Sequence, residues 1–123
     1  MAGYVVCRLP YQNALLRFRR LERFVERLVG LLGTDAQAEP VALCRCSSIH
    51  TFGMTYAIDV AFVQQDGYVV LSQRALGPGR LLSAAGAYYV LERPASAALW
   101  PKEGMLIRVD EADDVSEALT GAK

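Results

Sequence analysis

Asn13-Ala14-Leu15-Leu16-Arg17-Phe18-Arg19-Arg20-Leu21-Glu22-Arg23-Phe24-Val25-Glu26-Arg27-Leu28-Val29-Gly30-Leu31-Leu32-Gly33 is the stretch on which the fold class turns. Across residues 15–32, Phe18, Leu21, Val25, Leu28 and Leu32 recur every three or four positions, and Phe24 and Leu31 widen the stripe. That period predicts one amphipathic helix of about five turns. Asn13 would cap its first amides, and Gly33 would end it in the left-handed conformation. Arg17, Arg19, Arg20, Arg23 and Arg27 fall on the polar face, with Glu22 and Glu26 at helical spacing from Arg19 and Arg23. Such a face is ordinarily solvated and laced with weak ion pairs; a surface for phosphate or an acidic partner is the alternative. No aromatic residues interleave with these arginines on the polar face, which counts against a single-stranded nucleic acid whose bases must stack.

Outward from this stretch the pattern changes to a period of two. Residues 4–9 (Tyr-Val-Val-Cys-Arg-Leu) read as a strand stopped by Pro10. After a polar loop at 34–40, residues 41–46 read as a second strand. Residues 57–64 and 68–74 form the clearest hairpin, because Asp66-Gly67 suits a two-residue type I′ turn. Gly77-Pro78-Gly79 marks a loop over 75–80. Residues 87–92 read as a strand with Tyr88 and Val90 on one face and Tyr89 and Leu91 on the other. Pro94 can open a short helix through residue 99, and a last strand follows over 105–109. The tail from Asp110 is acidic, with a frayed helix expected around 115–119. Several short strands and one long helix, without regular alternation, predict an α+β domain. We therefore expect a small β-barrel-like, mostly antiparallel sheet with one long amphipathic helix after the first strand, spanning 1–109, and an acidic C-terminal tail over 110–123. Closing the sheet would remove the edges that short strands expose.

The densest reactive chemistry lies in Cys46-Ser47-Ser48-Ile49-His50-Thr51-Phe52-Gly53-Met54-Thr55-Tyr56-Ala57-Ile58-Asp59-Val60-Ala61-Phe62, which holds the one histidine and one of three cysteines. Asp59 alternates with Ile58 and Val60, so it points away from them. A carboxylate on one imidazole nitrogen would fix the tautomer of His50 and raise its basicity, as a general base requires; a structural hydrogen bond between the two is the plainer possibility. Cys44-x-Cys46-x3-His50, with Cys7 from the first strand, supplies soft ligands for a zinc-like site at an unusual spacing. Cys7 and Cys44 read better as small buried hydrophobes, and Cys46 as a candidate thiol near His50. We assign no metal and no cofactor. Phe52, Met54 and Tyr56 can leave an apolar lip beside His50, and the Gly77–Arg80 loop can present Arg80 to an anion.

This segment resembles the signature of a small prokaryotic family, domain of unknown function 192, which carries Cys-x-Ser-Ile-His-Thr-Phe-x-Met and then a strand opening Ile-Asp-Val-x-Phe. Cys46, Ser48, Ile49, His50, Thr51, Phe52, Met54, Ile58, Asp59, Val60 and Phe62 match it. Arg27-Leu28-Val29-Gly30-Leu31-Leu32-Gly33 is similar to the family's Arg-Leu-x-Gly-Leu-Leu-Gly, and Leu76-Gly77-Pro78-Gly79-Arg80 to its Leu-x-Pro-x-Arg loop. Thr55 and Ala57 stand where the family usually has a basic residue and a proline, and Trp100–Met105 replaces its later Gly-Leu-x-Pro-Gly-Asp turn. The resemblance covers most of residues 4–109. It implies a small β-rich, barrel-like domain and brings no established reaction.

Composition sets the remaining bounds. A chain of 123 residues, 53% hydrophobic and 21% charged, can bury a core without staples. Thirteen basic residues balance thirteen acidic ones, so no global field steers it to nucleic acid or membrane. The ends differ in sign, with six arginines in residues 1–33 and five acids in residues 110–123. No run is apolar for long enough to span a bilayer. Three cysteines, the lack of a signal sequence and the absence of an anchoring segment predict a cytoplasmic protein. Three functions remain open. The first is a non-enzymatic module whose pocket, lined by His50, Phe52, Met54, Asp59 and Arg80, takes a small ligand or a protein segment. The second is a small hydrolase or transferase with His50 as base, Asp59 orienting it and Cys46 or water as nucleophile. The third makes the signature a folding device only.

Overall fold

Alternation of buried side chains builds this protein from strands and connecting loops, without a helix, across the residues the computed structural model describes, namely 3–10, 14–22 and 30–113. In β1 (Tyr4–Leu9), Val5, Cys7 and Leu9 face one apolar cluster while Tyr4 and Val6 face another. The chain then returns antiparallel as β2 (Ala14–Leu21), with Leu9 opposite Ala14, Cys7 opposite Leu16 and Val5 opposite Phe18.

The long amphipathic helix expected after β1 is therefore overturned. Residues 14–21 are strand, and among the described residues there is no helix. The cap assigned to Asn13 and the span 23–29 lie outside the described residues. Residues 14–21 carry two periods at once. Phe18 and Leu21 satisfy the helical spacing, but Ala14, Leu16 and Phe18 share one face and Leu15 and Leu21 the other. Helix propensity separates these residue types by only tenths of a kcal/mol each. Burying Phe18 and Leu21 in a sheet stabilises by about 1.5–3 kcal/mol per side chain. The strand also pairs on both sides, with β1 and, in parallel, with β3 (Val41–Cys44).

The remaining strands are β4 (Ser48–His50), β5 (Ile58–Val63), β6 (Val69–Leu76), β7 (Leu81–Ser83), β8 (Tyr89–Pro94) and β9 (Arg108–Ala112). Seven of them form one sheet in the order β6-β5-β8-β3-β2-β1-β9, and β4 pairs with β7 in a separate two-stranded sheet. Among the described residues only the β2–β3 pairing is parallel. The seven-stranded sheet curls into a half-barrel, as two contacts show. Tyr89 on β8 donates to Glu111 Oε2 on β9 at 2.8 Å, although three strands lie between them. The two outer edges are linked by residues 101–107: the Val69 amide donates to the Met105 carbonyl and the Ile107 amide to the Gly67 carbonyl, both at 2.9 Å. The expected barrel-like, mostly antiparallel sheet is thus present, without the helix.

Three further expectations are corrected. The β5–β6 hairpin forms, but its turn is not type I′, which needs positive φ at both central residues. Only Gly67 has it (φ 100°), while the Gly67 amide donates to the Gln64 carbonyl and the Gln64 amide to that of Tyr68. That is a three-residue loop closed by a glycine bulge. Residues 95–99 form no helix and bend at 97–98, because their carbonyls serve arginines: Arg93 donates to Ala98 and Leu99, and Arg74 to Ser96 and Ala98. The last strand lies three residues later than expected, and Asp110–Ala112 belong to it. The helix expected at 115–119 lies outside the described residues.

Central strands β3, β5 and β8 are buried on both faces. Ala42, Cys44, Ala61, Val63, Tyr89 and Leu91 enter one cluster with Phe18, Trp100 and Ile107. Val41, Leu43, Ile58, Val60, Phe62 and Val90 enter the other. That second face is covered by Leu31, by Ile49 of β4 and by Met54.

Candidate functional site

The site starts from a break in alternation. Arg45 takes φ 53° at the end of β3, so Cys44 stays in the first cluster while Cys46 packs against the second. The zinc-like grouping of Cys44, Cys46 and His50 is thereby taken apart. Among the described residues, no group of three His, Cys, Asp or Glu side chains could hold a metal ion. Cys7 and Cys44 are buried, and desolvation raises both thiols, Cys44 to about 12. The half-buried Cys46 donates its thiol to the Ser48 carbonyl at 3.3 Å.

The signature is then pinned by Thr51. Its amide donates to the Arg80 carbonyl (2.8 Å), its carbonyl accepts from the Gly79 amide (3.0 Å), and its hydroxyl donates to the Gly77 carbonyl and accepts from the Arg80 amide (both 2.8 Å). Every polar group of a buried threonine is satisfied by one loop. This ties His50 and Phe52 to the Gly77–Arg80 turn, whose glycine-proline pattern the sequence displays. Arg80 joins the site through its backbone, and its side chain is exposed.

His50 and Phe52 stack at the mouth of the site with ring centroids 5.3 Å apart, and the Phe52 amide donates to His50 Nδ1 at 3.2 Å. The neutral ring therefore carries its proton on Nε2. Phe52 is 54% exposed and Leu81, opposite His50 in the β4–β7 pair, is 69% exposed.

Asp59 does not meet His50. As the alternation of β5 requires, it lies on the other face of the sheet, opposite Arg93 of β8. There its carboxylate, 1% exposed, accepts from Arg93 Nε and the Ala75 amide (both 2.9 Å) and from the Ser96 amide (3.3 Å). Arg93 in turn lies 4.5 Å from the Trp100 ring centre. Asp59 is the counter-ion of a buried arginine.

Beneath His50 lies a cavity of about 70 Å³, lined by Leu31, Leu43, Ile49, Met54 and Ile58, with His50 and Ser48 at its mouth and Glu92 in its wall. Of the sequence-predicted residues, His50 and Met54 line this cavity, Phe52 stacks at its mouth, and Asp59 and Arg80 do not enter it.

Glu92 is the residue that the sequence reading missed. It stands opposite Val41 of β3 and Val60 of β5, on a face that is otherwise apolar, and is 4% exposed. Its carboxylate accepts from the Leu31 amide, the one partner it has among the described residues. Burial raises it from 4.5 to about 7, and that amide offsets part of the rise. Gly30, at φ 53°, lets the chain pass: a Cβ there would sit 3.0 Å from Glu92 Oε1. The signal was available, since extending the alternation of Tyr88 and Val90 by one step places Glu92 on the face of Val90.

No protein-family model matches this chain, and neither does any curated protein. Two solved structures are similar. One is a proposed transcription regulator from Sinorhizobium meliloti 1021, with TM-score 0.68 and 13% identity over 90% of this chain and 94% of the other. The other is a protein of unknown function from Novosphingobium aromaticivorans DSM 12444, with TM-score 0.67 and 22% identity over 87% of this chain and 83% of that one. At these identities the likeness is one of fold.

Proposed function

We propose that this protein is a non-enzymatic ligand-binding module whose site is the cavity between the His50 segment and the sheet. One observation carries the reading: a carboxylate buried in an apolar wall, at a position where its strand neighbours are valines. Burying it destabilises the fold, and groups held against stability inside a cavity are characteristic of binding sites. The partner is a small molecule in preference to a protein segment, because the acceptor lies below the surface. The hydrolase arrangement is not retained, since Asp59 serves Arg93.

Nucleic acid is not part of this reading. Arg20 of β2 pairs with Glu22, Glu111 and Asp113, Arg19 with Glu39, and Arg17 lies over Tyr4. Among the described residues no helix is long and apolar enough to cross a membrane. Three cysteines, none of them in a disulfide, support a cytoplasmic setting. The matches of Gly30, Ser48, Ile49, His50, Thr51 and Met54 support membership of domain of unknown function 192, and would make the cavity a shared feature of it.

The test is a methyl-NMR screen of the full chain with cationic, neutral and anionic fragments of up to six heavy atoms. Binding should shift the Met54 methyl and spare that of Met105, which packs on the other cluster. If no fragment of any charge moves Met54, the reading is wrong.

A further inference from the structure

We propose that the cavity receives a primary ammonium group on a short apolar stem, with Glu92 as its counter-ion; this rests on the ligand-pocket reading and assigns it one chemical class. The charge inventory gives the sign. Among the described residues, Glu92 is the only acid lining the cavity and no lysine or arginine lines it. An anion entering would meet a carboxylate that no cation among the described residues offsets, which a low-dielectric wall makes unfavourable. His50 already uses Nδ1 to accept from the Phe52 amide.

Hydrogen-bond capacity gives the head group. A carboxylate offers about four acceptor positions, and the Leu31 amide takes one. Glu92 Oε1 also faces the Gly30 backbone, where an added Cβ would come within 3.0 Å of it. A guanidinium needs both oxygens open in one plane to form its paired hydrogen bonds. An ammonium carries three donors on one atom and needs only one open oxygen. The rest of the lining, Leu31, Leu43, Ile49, Met54 and Ile58, suits a hydrocarbon stem. A cavity of about 70 Å³, against roughly 30 Å³ for one water in the liquid, takes the head and the first carbons of the stem, and the rest of a short stem lies in its mouth.

The complex depends on an ionised Glu92. β3 and β5 present only apolar side chains to that face, Val41, Leu43, Ile58, Val60 and Phe62, and residues 30–32 contribute no titratable side chain. His50 stands at the cavity mouth as the other ionisable side chain of the lining. Because burial places Glu92 at about 7, affinity should rise on the order of 100-fold between pH 5 and pH 8, and level off above that.

Four probes of five heavy atoms separate the classes: n-butylammonium, 1-butanol, propionate and methylguanidinium, each titrated into the full chain while the Met54 and Ile58 methyls are followed. We expect n-butylammonium to bind best at pH 8. Glu92→Gln should weaken it more than tenfold and flatten its pH profile, whereas His50→Asn should keep most of that profile. Tighter binding of propionate, 1-butanol or methylguanidinium, or n-butylammonium binding that ignores Glu92→Gln, would overturn the ammonium assignment and leave the pocket standing. Silence from all four probes would overturn both.

Discussion

Glu92→Gln should gain stability relative to the wild type between pH 4 and pH 8. Glu92 is 4% exposed, and its carboxyl is raised from 4.5 to about 7. Between those values the folded chain holds a proton that the unfolded chain releases, so stability falls as pH rises from 4.5 to 7 and is flat beyond. The full difference corresponds to about 3 kcal/mol of destabilisation in the wild type at pH 8. Glutamine has nearly the same shape and no charge at either pH. Its amide adds a desolvation cost of its own, about 1–3 kcal/mol, but that cost does not vary with pH. The quantity to measure is therefore the stability gap between variant and wild type at pH 8 minus that at pH 4. Urea unfolding at both pH values gives it, as a relative midpoint shift of about 1–2 M for a slope near 2 kcal/mol/M. Other carboxyls titrate equally in both proteins and cancel. If the gap is the same at the two pH values to within about 0.5 kcal/mol, Glu92 titrates in the folded protein as it does in the unfolded chain, and the reasoning fails.

Thr51→Ala should cost about 1–3 kcal/mol, since it strands the Arg80 amide, and Thr51→Ser should restore most of it; amide exchange at Arg80 reports the local opening. Asp59→Asn should destabilise by about 3–5 kcal/mol by leaving Arg93 buried without its counter-ion, yet leave the His50 ring resonances in place; their movement would reconnect the two residues. In the folded protein a thiol reagent should label Cys46 alone, because Cys7 and Cys44 are buried and raised; Cys46→Ser should abolish native labelling, as mass spectrometry would show. Removing residues 110–123 should lower the melting temperature even at high salt. It strips Asp110–Ala112 from β9 and leaves the Tyr89 hydroxyl without Glu111, and neither loss is screened as a surface ion pair would be. An unchanged melting temperature would contradict this.

How much was legible in the sequence varies along the chain. Residues 4–9 read correctly because a β-rich run ended by Pro10 has one sensible conformation. The hairpin of β5 and β6 read correctly in its strands and incorrectly in its turn, since Asp66-Gly67 serves either a two-residue or a three-residue loop and strand register chooses. Residues 14–21 misled because their apolar side chains satisfy both periods. In the candidate site, His50 and Met54 could be found from chemistry and spacing. Glu92 needed the alternation of β8 to be carried two residues past Val90 into a pair of charged residues, where a surface position is the usual expectation.

By itself the sequence determined what local rules reach: the strand periods of β1, β5 and β8, the positions of the turns, the orientation of Asp59 away from Ile58 and Val60, and the concentration of reactive chemistry around His50. Tertiary structure decided the rest. It made residues 14–21 a strand by offering partners on both sides, and it sent Asp59 to Arg93, a residue 34 positions away in the chain. It also closed a cavity over Glu92 using Gly30, Leu31, His50 and Met54. The physical reason is the same in each case: intrinsic propensities differ by tenths of a kcal/mol, whereas burying an apolar side chain, pairing a buried charge or leaving one in an apolar wall changes the free energy by several.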